Sequence, residues 1–114
     1  SRLGGVIDWL YRNLTEPVSV ESLAKMANLS RRTFFRLFRR MTGSSPQEYR
    51  TRLKLKMAVE LLTSSELSIG EIAMRCGFSD SNYFCRVFRE YLSTTPRQFR
   101  LNASKSPAVL RPDS

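Results

Sequence analysis

"SVESLAKMANLSRRTFFRLFRRMTGSSPQEYR" (residues 19–50) and "SIGEIAMRCGFSDSNYFCRVFREYLSTTPRQFR" (residues 68–100) decide the fold when one is set above the other. Val20 meets Ile69, Leu23 meets Ile72, Ala24 meets Ala73 and Asn28 meets Gly77, all at an offset of 49. One extra residue then enters after Ser30/Ser79, and the offset becomes 50. Phe34 now meets Phe84, Arg36 meets Arg86, Phe38 meets Phe88, Arg39 meets Arg89, Pro46 meets Pro96 and Arg50 meets Arg100. Two copies of one supersecondary unit are present.

Each copy reads as a short helix, a tight turn and a longer helix. Ser19 can cap "VESLAKMA", with Glu21 or Ser22 in its first turn. Asn28, like Gly77, suits a left-handed turn position. An apolar residue follows, and then a serine, Ser30 or Ser79, as cap of the longer helix. Gly43 stops the first long helix, over roughly 31–42. This is a helix-turn-helix pattern, here present twice.

The long helix must reconcile opposite demands, because "RRTFFRLFRR" (31–40) holds five arginines and three phenylalanines. Phe34, Leu37, Phe38 and Met41 fall at i, i+3, i+4 and i+7 and predict a buried stripe. Arg32, Phe35, Arg36 and Arg39 lie on another face, flanked by Arg31 and Arg40. The second copy, roughly 80–92, repeats the division, with Phe84, Val87, Phe88 and Tyr91 inward. Its Ser81, Asn82, Cys85, Arg86 and Arg89 face outward. A helix of this kind fits the major groove of DNA, where arginine reads guanine and asparagine reads adenine.

Outside the copies, Ile7, Leu10, Tyr11 and Leu14 predict a first helix over roughly 3–15, with Trp9 and Tyr11 packed on the body. Ser45-Pro46 opens a further helix over roughly 46–63. Its "RLKLKM" alternates as a strand would, but leucine, lysine, methionine, alanine and glutamate favour the helix. The expected organisation is a first subdomain over 1–45, a linker helix over 46–63, a second subdomain over 64–103 and a mobile tail over 104–114. The tail, "SKSPAVLRPDS" from Ser104, lacks periodicity. The chain starts at Ser1 and not at methionine, so we expect a piece of something longer or a processed product.

Charge narrows the function. The 114 residues carry a net +9, and fifteen of the nineteen basic side chains are arginine. Arginine's planar fork suits bidentate contacts to phosphate and guanine. Between Arg31 and Lys56 there are nine basic residues and one acid, Glu48. Clustering of that density favours a polyanion partner over a merely soluble surface. Histidine is absent and there are two cysteines, Cys76 and Cys85. A structural zinc site and the commonest general base are therefore lacking, and neither an enzyme nor a cofactor or metal is expected. No apolar run approaches the length of a membrane span, and no signal-peptide pattern opens the chain.

At "GFSDSNYFCRVFREYLSTTPRQFR" the sequence resembles the AraC/XylS family of bacterial transcription regulators, and "SRRTFFRLFRRMTGSSPQEY" is similar to the counterpart in its first module. The resemblance covers roughly residues 3–101. It implies an all-α fold of seven helices, with two helix-turn-helix modules bridged by a linker helix. It further implies sequence-specific binding of double-stranded DNA, activation through RNA polymerase, a separate effector or dimerisation domain ahead of this unit, and a cytoplasmic location. By alignment, the family's base-reading positions fall on Arg32, Phe35 and Arg36 in the first module, and on Ser81, Asn82, Cys85 and Arg86 in the second. Phe35 and Cys85 depart from the polar residues expected there. Phe35 either touches a thymine methyl or shields the helix.

Phosphates are expected at the helix starts and at peripheral arginines, that is at Ser30, Arg31, Arg39, Arg40, Arg89 and Arg100. Arg100 has an alternative partner in the end of a neighbouring helix. Arg50, Arg52, Lys54 and Lys56 form either a solvated surface or a further phosphate-facing edge. Two other functions stay open: a general polyanion or RNA-binding module, and a protein-interaction domain that docks an acidic partner on its arginines. The first lacks the exposed aromatic platform expected for single-stranded bases.

Overall fold

The computed structural model describes residues 2–105, and within them the chain forms seven helices. They are α1 (Arg2–Arg12), α2 (Val20–Met26), α3 (Arg31–Thr42), α4 (Pro46–Ser64), α5 (Ile69–Arg75), α6 (Ser81–Leu92) and α7 (Pro96–Lys105). The all-α expectation therefore holds, and the alternating "RLKLKM" lies inside α4. Ser104 and Lys105, expected in the tail, close α7; the rest of the expected tail lies outside the described residues. Among the described residues no helix is long and apolar enough to cross a membrane.

Packing divides the chain within α4, at Lys54/Leu55, into two compact units. In the first, Leu3, Val6 and Leu10 of α1, Leu23 and Ala24 of α2, Ala27 and the fully buried Phe34 and Phe38 of α3 form one core, with Tyr49 and Leu53 packed against it. Phe38 meets Tyr49 edge-on, with centroids 5.5 Å apart. In the second, Leu55, Ala58 and Leu62 of α4, Ile72, Ala73, Cys76, Phe78, Phe84, Val87 and Phe88 form the core. There Phe88 meets Phe99 edge-on at 5.8 Å. Burying a large apolar side chain contributes roughly 1.5–3 kcal/mol, so these phenylalanines anchor their helices.

The turns are closed alike. The Leu29 N–H donates to the Ala24 carbonyl at 3.0 Å, and the Phe78 N–H to that of Ala73 at 2.9 Å. Each closure requires a left-handed residue, and Asn28 (φ 60°) and Gly77 (φ 86°) supply it. Ser19 and Ser22 form a capping box on α2, and Ser68 caps α5.

Four sequence expectations need correction. Met41 and Tyr91, expected in the buried stripes, are 59% and 41% exposed, because each stripe ends one turn earlier, at Phe38 and Phe88. Tyr11, also expected to pack inward, is 59% exposed. The inner face of α1 is Leu3, Val6 and Leu10, rotated from the expected face, and α1 ends at Arg12. Ser79 does not cap α6; the inserted Asp80 does, its carboxylate accepting from the Tyr83 N–H at 2.8 Å.

Candidate nucleic-acid interface

In the first unit, burial of Phe34 and Phe38 fixes how α3 is rolled. Arg32, Phe35, Arg36, Arg39 and Arg40 are consequently exposed, Phe35 at 39%. Arg31, Arg32, Phe35 and Arg36 line one open concavity. Ser30 caps the helix and accepts from the Thr33 N–H at 3.2 Å, which leaves its hydroxyl hydrogen free to donate outward. Arg31 pairs across to Glu21 of α2, Nε to Oε1 3.1 Å, with both side chains more than half exposed. Such a pair is worth little and leaves the outer guanidinium nitrogens available.

In the second unit α6 is rolled the same way by Phe84, Val87 and Phe88. Ser81, Asn82, Arg86 and Arg89 are exposed. Cys85 is not, as sequence reasoning had placed it: it is half-buried and packs against the core, and desolvation pushes its thiol pKa up. It belongs to the edge of the core more than to the reading face. Asp80 places a carboxylate on the N-terminus of α6, where the favourable interaction with the helix dipole is already taken.

Arg100, expected at a phosphate, is engaged elsewhere. Its Nε donates to the Leu62 carbonyl at 3.0 Å, Nη1 to Leu67 at 2.8 Å and Nη2 to Ser65 at 3.2 Å. It clamps the loop between α4 and α5 and leaves the phosphate set. Its counterpart Arg50 does the same for the loop after α1, donating from Nη2 to the carbonyls of Leu14 (3.1 Å) and Glu16. The Arg50 Nε is buried without a hydrogen-bond partner, and desolvation pulls the Arg50 pKa down. Sequence reasoning offered the helix-end role for Arg100 and missed it for Arg50; the shared register of the two residues was the available signal.

A second missed feature is Tyr83. Its ring lies beneath Arg86, with the guanidinium carbon 5.2 Å from the centroid. The i, i+3 spacing that brings them together is visible in the sequence. Among the described residues no group of three histidine, cysteine, aspartate or glutamate side chains converges as a metal site would require.

Each unit thus offers a basic helix, held from behind by phenylalanines and bare in front, of the size that enters a major groove. Known proteins place the arrangement. A family model described as "Helix-turn-helix domain" matches residues 23–102. The chain is 42% identical over 100 residues to the HTH-type transcriptional activator RhaS of Escherichia coli O139:H28, a match covering 88% of this chain and 36% of RhaS. The chain thus spans about a third of that relative's length. Its fold matches the DNA-binding domain of AdpA, a global transcriptional factor solved with a target DNA, at TM-score 0.87 and 36% identity, covering 94% and 97% of the two chains. It also matches an AraC-type regulator from Chromobacterium violaceum, at TM-score 0.83 and 31% identity over 92% and 94%. The chain belongs to the AraC-type family of helix-turn-helix DNA-binding domains.

Proposed function

We propose that this chain reads a specific double-stranded DNA sequence with α3 and α6 in successive major-groove segments, and that the protein it serves regulates transcription, most simply as an activator. The observation that carries the reading is the pair Arg36 and Arg86, at one register position of two equivalent helices and exposed in both. Arg32, Phe35 and Arg36 are the base contacts of the first module. Ser81, Asn82 and Arg86 are those of the second, with half-buried Cys85 at the margin. Ser30, Arg31, Arg39, Arg40 and Arg89 hold phosphates. Activation implies contact with RNA polymerase, and the relatives' greater length leaves room for an effector or dimerisation domain elsewhere in the full protein. A regulator of this kind works in the bacterial cytoplasm.

The test is selection of bound duplexes from a random pool, followed by competition with single-stranded DNA and RNA. A defined motif resistant to single-stranded competitors is expected. Equal competition by every polyanion would overturn the reading in favour of general electrostatic binding. Arg36→Ala and Arg86→Ala should each cost roughly 1–3 kcal/mol and relax preference at different bases of that motif.

A further inference from the structure

Arg36 and Arg86 occupy equivalent positions but stand on different ground. Beneath Arg86 lies Tyr83, one helical turn earlier and 42% exposed. Tyr83 leans on Phe78, with ring centroids 6.1 Å apart and planes inclined at 58°. Phe78 comes from the turn, is buried, and packs on fully buried Phe84 at 4.9 Å. A series of tilted ring contacts therefore runs from the core through the turn to the outward arginine. In the first unit Leu29 replaces Phe78 and Thr33 replaces Tyr83, so neither ring exists.

We propose that Tyr83 is a positioning residue for recognition: braced by Phe78, its ring holds the Arg86 guanidinium in place before DNA arrives. The chemistry suits this. A guanidinium is attracted to the face of an aromatic ring. All its N–H donors lie in its own plane, so a face-on contact leaves the bidentate edge free for a base. Ordering a flexible side chain before binding removes part of the entropy lost on association. The second module, with little positive charge, thus gains through pre-ordering what the first gains through attraction to phosphate. The proposal rests on Arg86 being a base contact, and its test separates the two ideas.

The duplex obtained by selection, and its single-base variants, are titrated with the unaltered chain and with Arg86→Ala, Tyr83→Leu, Tyr83→Phe and Arg86→Ala/Tyr83→Leu. Circular dichroism checks that each variant is folded. Arg86→Ala identifies the base pair whose preference it abolishes. Tyr83→Leu is expected to weaken preference at that same pair by roughly three- to tenfold, and Tyr83→Phe to retain it, since the ring is the agent. In the Arg86→Ala background, Tyr83→Leu should add nothing. A loss from Tyr83→Leu that is equal on all duplexes, or that persists without Arg86, would overturn the positioning role. So would a Tyr83→Phe loss matching that of Tyr83→Leu, which would make the hydroxyl a phosphate contact. If Arg86→Ala relaxes no base, the reading of Arg86 itself fails and the proposal falls with it. If Arg86→Ala relaxes a base and Tyr83→Leu leaves it intact, the positioning role alone falls.

Discussion

The two units are built on one plan and differ in how they are charged and closed. In the first copy, residues 19–50, seven bases face two acids; in the second, residues 68–100, five bases face three acids. The first long helix begins at neutral Ser30, the second at Asp80, whose carboxylate occupies the helix start. The first ends at Gly43 (φ 78°), the second at Ser93, forced into the same left-handed region (φ 61°). Conversely, the loop clamp is complete in the second unit and leaves the Arg50 Nε unpaired in the first. Packing dictates the positions of the phenylalanines and so cannot vary. Caps and surface charge are bound by weaker constraints, and there the copies have become specialised.

The largest effects should test what is common. Phe38→Ala and Phe88→Ala each empty a fully buried site and should cost about 3–5 kcal/mol in denaturant unfolding. Amide exchange should accelerate first in α1–α3 for Phe38→Ala and in α5–α7 for Phe88→Ala; identical exchange patterns would show that the two cores are not separate.

Next come the clamps. Arg100→Ala removes bonds to three carbonyls and should cost roughly 1.5–3 kcal/mol of stability. Arg50→Ala should cost less, because its Nε gains nothing where it lies. Neither substitution should alter the salt dependence of DNA affinity; a flatter slope for Arg100→Ala would return that residue to the phosphate set.

Charge gives the third contrast. Arg39→Gln with Arg40→Gln should flatten the log–log salt slope by about two phosphates' worth, near 0.9 each. Arg86→Gln with Arg89→Gln should flatten it by about one, since Arg86 is the proposed base contact. Equal slopes in a salt titration would abolish the division of labour between the units.

Smaller still is the exchange of the turn residues. Ser93→Gly should stabilise the chain by about 0.5–1 kcal/mol, the relief of a left-handed serine less the added freedom of the unfolded chain. Gly43→Ser should cost a similar amount, for conformation alone, because an added Cβ meets nothing within 4 Å. Thermal melts of the two variants should move in opposite directions.

The smallest effect concerns acid. The Glu48 carboxylate accepts the Ser45 N–H at 3.0 Å while Ser45 Oγ accepts the Glu48 N–H at 3.1 Å. Hydrogen bonds from Ser45 to the carboxylate, from its backbone N–H first and its side chain second, hold the Glu48 pKa below its ordinary value. A depressed carboxylate contributes stability above its unfolded pKa and loses it as pH falls through the folded one. The first turn of α4 should therefore fray in acid, by amide exchange at pH 3 against pH 6. The first turn of α7 should not, because Gln98 takes the place of Glu48 and its side chain bonds forward to Asn102.

The repeat, the helix starts at Ser19, Ser30 and Pro46 and the stripes through Phe34/Phe38 and Phe84/Phe88 were legible, because periodicity and capping are local properties. What failed was set by neighbours distant in sequence. The stripes stop before Met41 and Tyr91, which stand exposed, and α1 is rolled by the core it shares with α2 and α3. The outward arginines could be named from the wheel, whereas Arg100 kept two partners open, a phosphate or a helix end, and only its shared register tied Arg50 to the second of them. Cys85 was misplaced for a related reason, lying at the boundary of a stripe whose width only the packing determines.

One regularity escaped the sequence comparison. Leu55, Ala58 and Leu62 serve the second core as Leu3, Val6 and Leu10 serve the first, with the same three- and four-residue steps. Tyr49 and Phe99, which do meet in the alignment of the two copies, each close a core from the following helix. Helix α4 is thus the last helix of one unit and the first of the next. Such an overlap is a rule for chain growth: each added unit needs only three new helices, because it inherits its first from its predecessor. A duplication that obeys it cannot insert a flexible spacer between the copies without depriving one of a wall of its core.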